Sequence, residues 1–468
     1  MSLFHQYDIR GIYGKDLTES FAYNLGKTIL NYTKAKKIVI GYDSRFGNLK
    51  LFSAFAKALT EQGVNVTHAG MITRPMLNWV AWKHGYDLGV IITASHNPKE
   101  YNGFKFIWKN KPLYYDNGLN EVEDLMQKKD LLKKSKNNSK NINGKKVGKV
   151  ISIDYIDEYV KFLSSNLSSE FRRYIKNHTV RIIADGSNGA SGEIIKRFLL
   201  INDLTYELLY THPDGTFYGH NPNPLDPSAS IVISKKMSVF KADLGFILDP
   251  DGDRIRFVDD KGNVLENNYV DCLVIEQLLK KNKKSAIVHD IISRKILSEI
   301  IVKNHGKSIV SKVGTSNIIQ NMIREKAIFG CEMSGHRYFK NMNNQDSGLM
   351  MLVQVLNTLY SKEYCNKKFS SLWKKYDKYC DLGELNYTLT DEKRKQETID
   401  KILKYYSDNK KKLKVKYIGT IDGVSIITAN YWFNIRPSNT EPLLRLRIES
   451  RNKKLLTSAK ILIEKFIK

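Results

Sequence analysis

Short apolar runs that open into polar loops, each followed by a segment with helical spacing, recur along this chain and restrict its fold more than any other feature. The run "KIVIGYDSR" ends in charged and polar residues. Behind it, "NLKLFSAFAKALTEQG" carries apolar residues at helical intervals, with Gly63 placed to end the helix. "DLGVIITASHNP" is again a strand and a loop. The plan restarts with a helix at "YIDEYVKFLSSNL", the strand "TVRIIADGSNGA" and the helix "SGEIIKRFLL". A third copy begins near Asn267, with "SAIVHDII" as its strand and "SRKILSEIIVKN" as its helix. Strands alternating with helices predict layered α/β units. The C-terminal stretch breaks the rhythm, because "GVSIITANYWFNIRPSNTEPLLRLRIES" reads as antiparallel strands around a loop. The expected organisation is three similar α/β domains, at 1–146, 147–262 and 263–374, followed by an α+β domain at 375–468.

At 468 residues the chain exceeds what one hydrophobic core supports. Its 42% hydrophobic and 11% aromatic residues belong to a folded globular protein, not a disordered one. No apolar run approaches ~18 residues, so no membrane partner is expected. The opening "MSLFHQYDIRG" has none of the charged, apolar and small-residue regions of a signal peptide. Cys272, Cys331, Cys365 and Cys380 lie far apart without CxxC spacing, which predicts reduced thiols, a cytoplasmic location and no zinc site. The net charge of +26 is spread mostly over lysines. Its one dense run, Lys128–Lys149, lacks aromatic residues for base stacking and reads as a solvated linker. Nucleic acid is therefore not an expected partner, while a basic field favours anionic substrates.

Four loops carry the chemistry. In "ITASHNPKEYNGFKF", Ser95 stands beside His96, but adjacent side chains rarely point at one another and no G-x-S-x-G elbow is present. In "GFILDPDGDRIRF", Asp249, Asp251 and Asp253 alternate, and in extended backbone their carboxylates face one way. Three such charges repel unless a cation compensates them, and Mg²⁺ suits carboxylate oxygens. An EF-hand is excluded because Arg254 stands where that loop needs glycine. A phosphatase of the haloacid-dehalogenase type, with Asp249 as nucleophile, and an acidic turn without metal both stay open. In "FGCEMSGHRYF", Glu332, Ser334 and His336 offer an acceptor, a hydroxyl and an imidazole to a polyhydroxylated ligand. In "NIRPSNTEPLLRLRIE", Arg436 with Ser438, Asn439 and Thr440 suits a phosphate dianion. A serine aimed at a phosphoryl group needs a cation, a phosphate anchor and an acid/base, and the other loops supply them. Phosphoryl transfer is the reading that unites all four; a non-catalytic anion-binding protein is the bland alternative.

The combination "TASHNP", "DPDGDR", "CEMSGH" and "RPSNTEP", in this order and spacing, resembles the α-D-phosphohexomutase superfamily over nearly the whole chain. "YDIRGIYGKDLT" and "ADGSNGASG" also look like family segments, and "EMSGH" is similar to the phosphomannomutase/phosphoglucomutase branch. The resemblance implies mixed sheets in three α/β domains, a C-terminal domain like the TATA-box-binding protein, and a central cleft. It implies an intramolecular phosphotransferase that reversibly converts mannose 1-phosphate to mannose 6-phosphate and glucose 1-phosphate to glucose 6-phosphate. Ser95 would be a phosphoserine, and a hexose 1,6-bisphosphate would be intermediate and activator. Asp249, Asp251 and Asp253, with a phosphoserine oxygen of Ser95, would hold Mg²⁺. Glu332 and Ser334 would bind sugar hydroxyls, and Arg436, Ser438, Asn439 and Thr440 the phosphate not being transferred. Tyr7, Arg10, His96, Asn97, Lys105 and Arg254 would surround the reacting group, with Lys105 and His336 as candidates for acid/base work. A monomer is expected, with a dimer as the alternative.

Three positions depart from the family pattern. Cys331 replaces a glycine of the usual "GGE", Thr315 stands where many phosphomannomutases have histidine, and "VHDIISR" lacks a lysine that many relatives carry.

Overall fold

A computed structural model describes residues 2–128, 147–389, 391–438 and 442–467, so most of the basic run lies outside the described residues. The residues group into two compact bodies: Met1–Leu265 with Ser334–Ser371, and Glu266–Met333 with Leu372–Lys468. Each is described by itself.

The first body holds two sheets. One runs β1 (Ile9–Ile12), β5 (Tyr101–Trp108), β4 (Leu88–Ile92), β2 (Ile38–Tyr42), β3 (Val66–Met71) and β7 (Val150–Ser152), with β6 (Lys111–Leu113) on β5. β2 is parallel to β3 and β4, whereas β5 is antiparallel to β4 and β1, so the sheet is mixed. β4 is buried along its whole length, as a strand covered on both faces must be, and its end delivers Ser95. β5 then returns in a register that sets Lys105 opposite Ile91, while Phe104 and Phe106 enter the core on the other face. Burying side chains such as Leu88, Val90 and Phe104 contributes about 1.5–3 kcal/mol each, so a one-residue slip that would turn Lys105 into the core is strongly opposed.

The second sheet has the order β11 (Ile255–Asp259), β10 (Leu244–Leu248), β8 (Arg181–Asp185), β9 (Thr205–Leu209). β10, again fully buried, ends at the aspartate loop, and β11 leads away from it antiparallel. The hairpin β15 (Arg337–Phe339) and β16 (Gln345–Asp346) also belongs to this body, as does the helix Gly348–Leu359. That helix, "GLMMLVQVLNTL", is apolar on nearly every side, and it is buried against the helix Ile156–Ser165 and β11. The expected domain at 263–374 includes this stretch, which by its contacts groups with the first body.

The second body contains the parallel strands β13 (Lys307–Ser311), β12 (Ala286–Asp290) and β14 (Phe329–Cys331). It also contains an antiparallel sheet, β17 (Cys380–Thr388), β21 (Leu443–Ser450), β20 (Tyr431–Pro437), β19 (Val424–Thr428) and β18 (Val415–Gly419). The helices Glu392–Asp408 and Lys453–Ile467 cover that sheet with a shared core that includes Tyr406, Phe433, Leu446 and Ile463. This is the α+β unit read from the sequence. No helix among the described residues is long and apolar enough to cross a membrane. None of the four cysteines, all of them among the described residues, forms a disulfide.

Candidate active site

Ser95 is buried, and its backbone lies in the left-handed region at φ 51°, a conformation that side chains other than glycine adopt only when their surroundings impose it. The surroundings are explicit. Arg45 donates to the carbonyls of Ser95 and Asn97 (2.6 Å each), Pro98 (2.8 Å) and Tyr101 (2.9 Å). Thr93 Oγ1 accepts the Ser95 N–H at 2.8 Å and donates to Asp43 at 2.6 Å. The left-handed turn swings the His96 ring back, so Nδ1 stands 3.3 Å from Ser95 Oγ. Neighbouring side chains do meet here, against the sequence expectation, because the backbone is bent at the serine. The pair is not a hydrolase dyad. The Arg254 charge, burial and the Arg10 charge hold the His96 imidazole far below its usual pKa, while Ser95 Oγ also donates to Asp249 at 3.3 Å. Arg10 donates to Asn97 at 2.5 Å, and Tyr7, Arg74 and Lys105 line one small cavity.

Asp249, Asp251 and Asp253 are fully buried and converge, with one carboxylate oxygen of each within 4.8 Å of the others. They converge through a tight turn and not through the extended pleat expected from their spacing. Gly252, at φ +73°, lets its N–H reach the Asp249 carbonyl at 2.9 Å. Lys105 donates to Asp251 at 2.8 Å and Asp253 at 3.4 Å, and Arg74 donates to Asp253 at 2.7 Å. Burial works against the Asp253 charge, but Arg74 and Lys105 outweigh it and hold that carboxyl well below the usual range. Asp249 is left short of cations, and burial with the charges of Asp253 and Asp251 pushes it well above that range. Asp251 Oδ1 and Asp253 Oδ1 are buried without a hydrogen-bond partner. A group with three buried carboxylates, two orphaned oxygens and insufficient positive charge fits a hard divalent cation.

Arg254 binds across the same turn. Its N–H donates to Asp249 at 3.0 Å, and its Nε donates to His336 Nε2 at 2.9 Å. Because a guanidinium only donates, His336 Nε2 is the acceptor and Nδ1 carries the proton, which it donates to Asp346 at 2.8 Å. Burial lowers the Lys105 pKa, but the charges of Asp251 and Asp253 outweigh it and raise that pKa above its ordinary value. Lys105 is thus a charge partner and an acid, and His336 is the group with a lone pair.

The division between the two bodies falls inside "CEMSGH", between Met333 and Ser334. In the second body Glu332 accepts the Gly314 N–H at 2.8 Å, and Asp290 accepts the Met333 N–H at 2.9 Å. Burial and the Glu332 charge push the Asp290 carboxyl up to about 7, and the Arg436 charge opposes them. Glu332 and Arg436 therefore share one neighbourhood, that of Asp290. Arg436 itself is buried and donates to Glu384 at 2.7 Å, so an anion there competes with a carboxylate. Ser438 donates its N–H to Leu443 at 2.9 Å; Asn439 and Thr440 lie outside the described residues. Ser334 is half-buried in the first body, two residues before His336. Cys331 is a buried residue of β14, where the strand needs none of glycine's freedom.

Models of the phosphoglucomutase/phosphomannomutase α/β/α domains I, II and III match residues 1–133, 157–262 and 266–379, and that of the C-terminal domain matches 384–460. The chain belongs to the phosphoglucomutase/phosphomannomutase family. It is 36% identical over 459 residues to the phosphomannomutase of Methanocaldococcus jannaschii, covering 97% of this chain and 95% of that one. A phosphoglucomutase/phosphomannomutase family protein of Burkholderia thailandensis has the same fold, with a TM-score of 0.84 at 24% identity over 99% of this chain and 96% of that chain. A more distant structure, the N-acetylphosphoglucosamine mutase of Aspergillus fumigatus, has a TM-score of 0.55 at 14% identity over 92% of this chain and 83% of that chain. It was solved in complex with GlcNAc-6P and magnesium.

Several residues that shape this mutase's site escaped the sequence reading. Arg45 and Asp43 mould the serine loop, Glu384 neutralises Arg436, and Arg74 and Asp346 stand behind the aspartates. Arg74, at the start of the helix Arg74–Lys83, bridges Asp253 and Asp346 with a guanidinium of 8% side-chain exposure. "TRPML" reads as an ordinary helix start, Thr73 capping and Pro75 in the first turn, so nothing local marks the arginine. Arg74→Met keeps the volume but takes from two buried carboxylates the guanidinium they share, leaving Asp253 to Lys105 and Asp346 to the His336 N–H. We expect it to cost about 3–5 kcal/mol, read as a lower urea midpoint; a loss below about 1 kcal/mol would contradict the bridging role.

Proposed function

We propose that this mutase interconverts the 1- and 6-phosphates of mannose and of glucose, through a phosphoserine at Ser95 and a hexose 1,6-bisphosphate. The observation that carries the reading is Ser95 Oγ, held in a strained turn 3.3 Å from a buried carboxylate and 3.3 Å from His96, an imidazole that feels the charges of Arg254, Arg10 and Lys105. Such a setting serves a dianionic group better than a hydroxyl.

In this reading Asp249, Asp251 and Asp253, joined by a phosphoserine oxygen, hold Mg²⁺; their orphaned oxygens and charge imbalance support it, and the Aspergillus mutase was solved with magnesium. When bound, the ion supplies positive charge to phosphoryl oxygens. The chain's own residues do the rest. As a sugar hydroxyl oxygen bonds to phosphorus, the Ser95 Oγ–P bond breaks, and the hydroxyl proton passes to His336 Nε2 once Arg254 turns from it to a phosphoryl oxygen. The imidazolium so formed is stabilised by Asp346 on Nδ1. Lys105, held as an ammonium, gives a proton to the leaving Ser95 oxygen, and Arg10, Asn97, His96 and Tyr7 orient the group. After the bisphosphate reorients, Ser95 Oγ bonds to the other phosphorus and returns its proton to Lys105, while the departing sugar oxygen takes the proton back from His336. Glu332 and Ser334 bind sugar hydroxyls, while Arg436, Ser438, Asn439 and Thr440 anchor the idle phosphate. Transfer of this kind depends on positioning and charge.

Coupled assays with mannose 1-phosphate, glucose 1-phosphate and glucosamine 1-phosphate, primed with a hexose bisphosphate, test the reading. Comparable kcat/KM for the first two, and much less for the third, is the expected result. A preference for glucosamine 1-phosphate, or net release of phosphate, would overturn it.

A further inference from the structure

The segment "ADGSNGA" holds no group that the reaction uses, yet it is built with unusual constraint. Ser187 and Asn188 both lie in the left-handed region, at φ 48° and 52°. The turn is pinned by Asp185 accepting the Ser187 N–H at 2.8 Å, by the Gly189 N–H on Gly186 at 2.8 Å and by the Asn188 N–H on Tyr210 at 2.6 Å. Its outer side meets the aspartate loop. Ser187 Oγ donates to the carbonyl of Leu248, the last residue of β10, and the Ala190 N–H donates to the Pro250 carbonyl at 2.8 Å. Between these bonds Gly189 packs so closely that a Cβ there would stand 2.4 Å from both Cα and O of Pro250.

We propose that the turn Asp185–Ala190 positions the metal carboxylates, with Ser187 and Gly189 as positioning residues that set where Pro250, and with it Asp249 and Asp251, stand. The inference rests on reading those aspartates as the Mg²⁺ site. Carbon atoms in contact keep about 3.5–4 Å, so a side chain at 189 must part the two backbones by about 1 Å. Metal–oxygen distances tolerate only about 0.2 Å, so a displacement of that size misplaces the ligands. The turn braces the serine loop as well. Asn188 accepts the Asp214 N–H on its carbonyl at 2.9 Å and the Gly219 N–H on Oδ1 at 3.2 Å, and donates to His212 at 3.0 Å. The segment it clasps carries Phe217, whose ring lies 4.9 Å from the Arg45 guanidinium. Arg45 is the residue that holds the carbonyls of Ser95 and Asn97.

The test is calorimetric titration of Mg²⁺ into the full-length protein and its Ser187→Ala and Gly189→Ala variants, with the melting temperature of each in EDTA. Ser187→Ala removes one hydrogen bond and is expected to weaken Mg²⁺ binding about fivefold. Gly189→Ala is expected to weaken it at least about tenfold. Gly26→Ala, which crowds Phe55 and Ala58 in the helix pair Glu19–Thr33 and Asn48–Thr60, should lower the melting temperature with wild-type Mg²⁺ affinity. Affinities of both turn variants within about twofold of wild type would overturn the inference alone. If Gly189→Ala fails to fold, Ser187→Ala decides by the same criterion. A wild type that takes up no Mg²⁺ would overturn the metal reading and the inference with it.

Discussion

Ser95→Ala is expected to abolish mutase turnover, lowering kcat by about 10⁴-fold or more, because the step that carries the phosphoryl group loses its oxygen. The substitution removes only Oγ. The loop is held through the carbonyls gripped by Arg45 and through the Ser95 N–H on Thr93, so its shape should persist. Intact-mass analysis supplies the second readout: the wild-type protein should carry a labile phosphate that the variant lacks. A variant that retained full turnover would sink the phosphoserine mechanism, and phosphate found on Asp249 in its place would favour an aspartyl-phosphate enzyme.

Asp251→Asn is expected to lower kcat/KM by about 10²–10³-fold at fixed Mg²⁺ and to raise the half-saturating Mg²⁺ concentration at least about tenfold. Asparagine keeps the shape of the side chain and loses its charge. Two partners feel the change: the metal loses an anionic oxygen, and Lys105 loses the carboxylate 2.8 Å away that helps to keep it protonated in a buried setting. Chelation should reproduce most of the loss in the wild type and be reversed by added Mg²⁺. Turnover that survives exhaustive chelation would exclude a metal role for these aspartates.

How much of this was legible beforehand depends on the range of the interactions concerned. The loops at Ser95 and Asp249 announce themselves because each ends an apolar run that can only be a buried strand, and because their residue types are costly to bury without a purpose. Even there the local geometry differed. The aspartates converge through a turn permitted by Gly252, not through strand alternation, and the Ser95–His96 contact follows from a left-handed backbone that no spacing rule foretells. The company of the helix Gly348–Leu359 was not legible: an apolar surface specifies that it must be covered and leaves open by what.

Arg74, Asp346 and Arg45 had no local signature, since each becomes meaningful only beside a residue far away in the chain. Arg74 and Asp253 are 179 positions apart. The family, the layered α/β units and the chemistry of the four loops were properties of contiguous residues, because period, polarity and order along the chain are enough to specify them. The tautomer of His336, the protonation of Lys105, the charge deficit at Asp249 and the pairing of Arg436 with Glu384 were decided only when the chain folded. Burial removes water's screening, so the energy of each charge is then set by the few partners that long-range packing brings within reach.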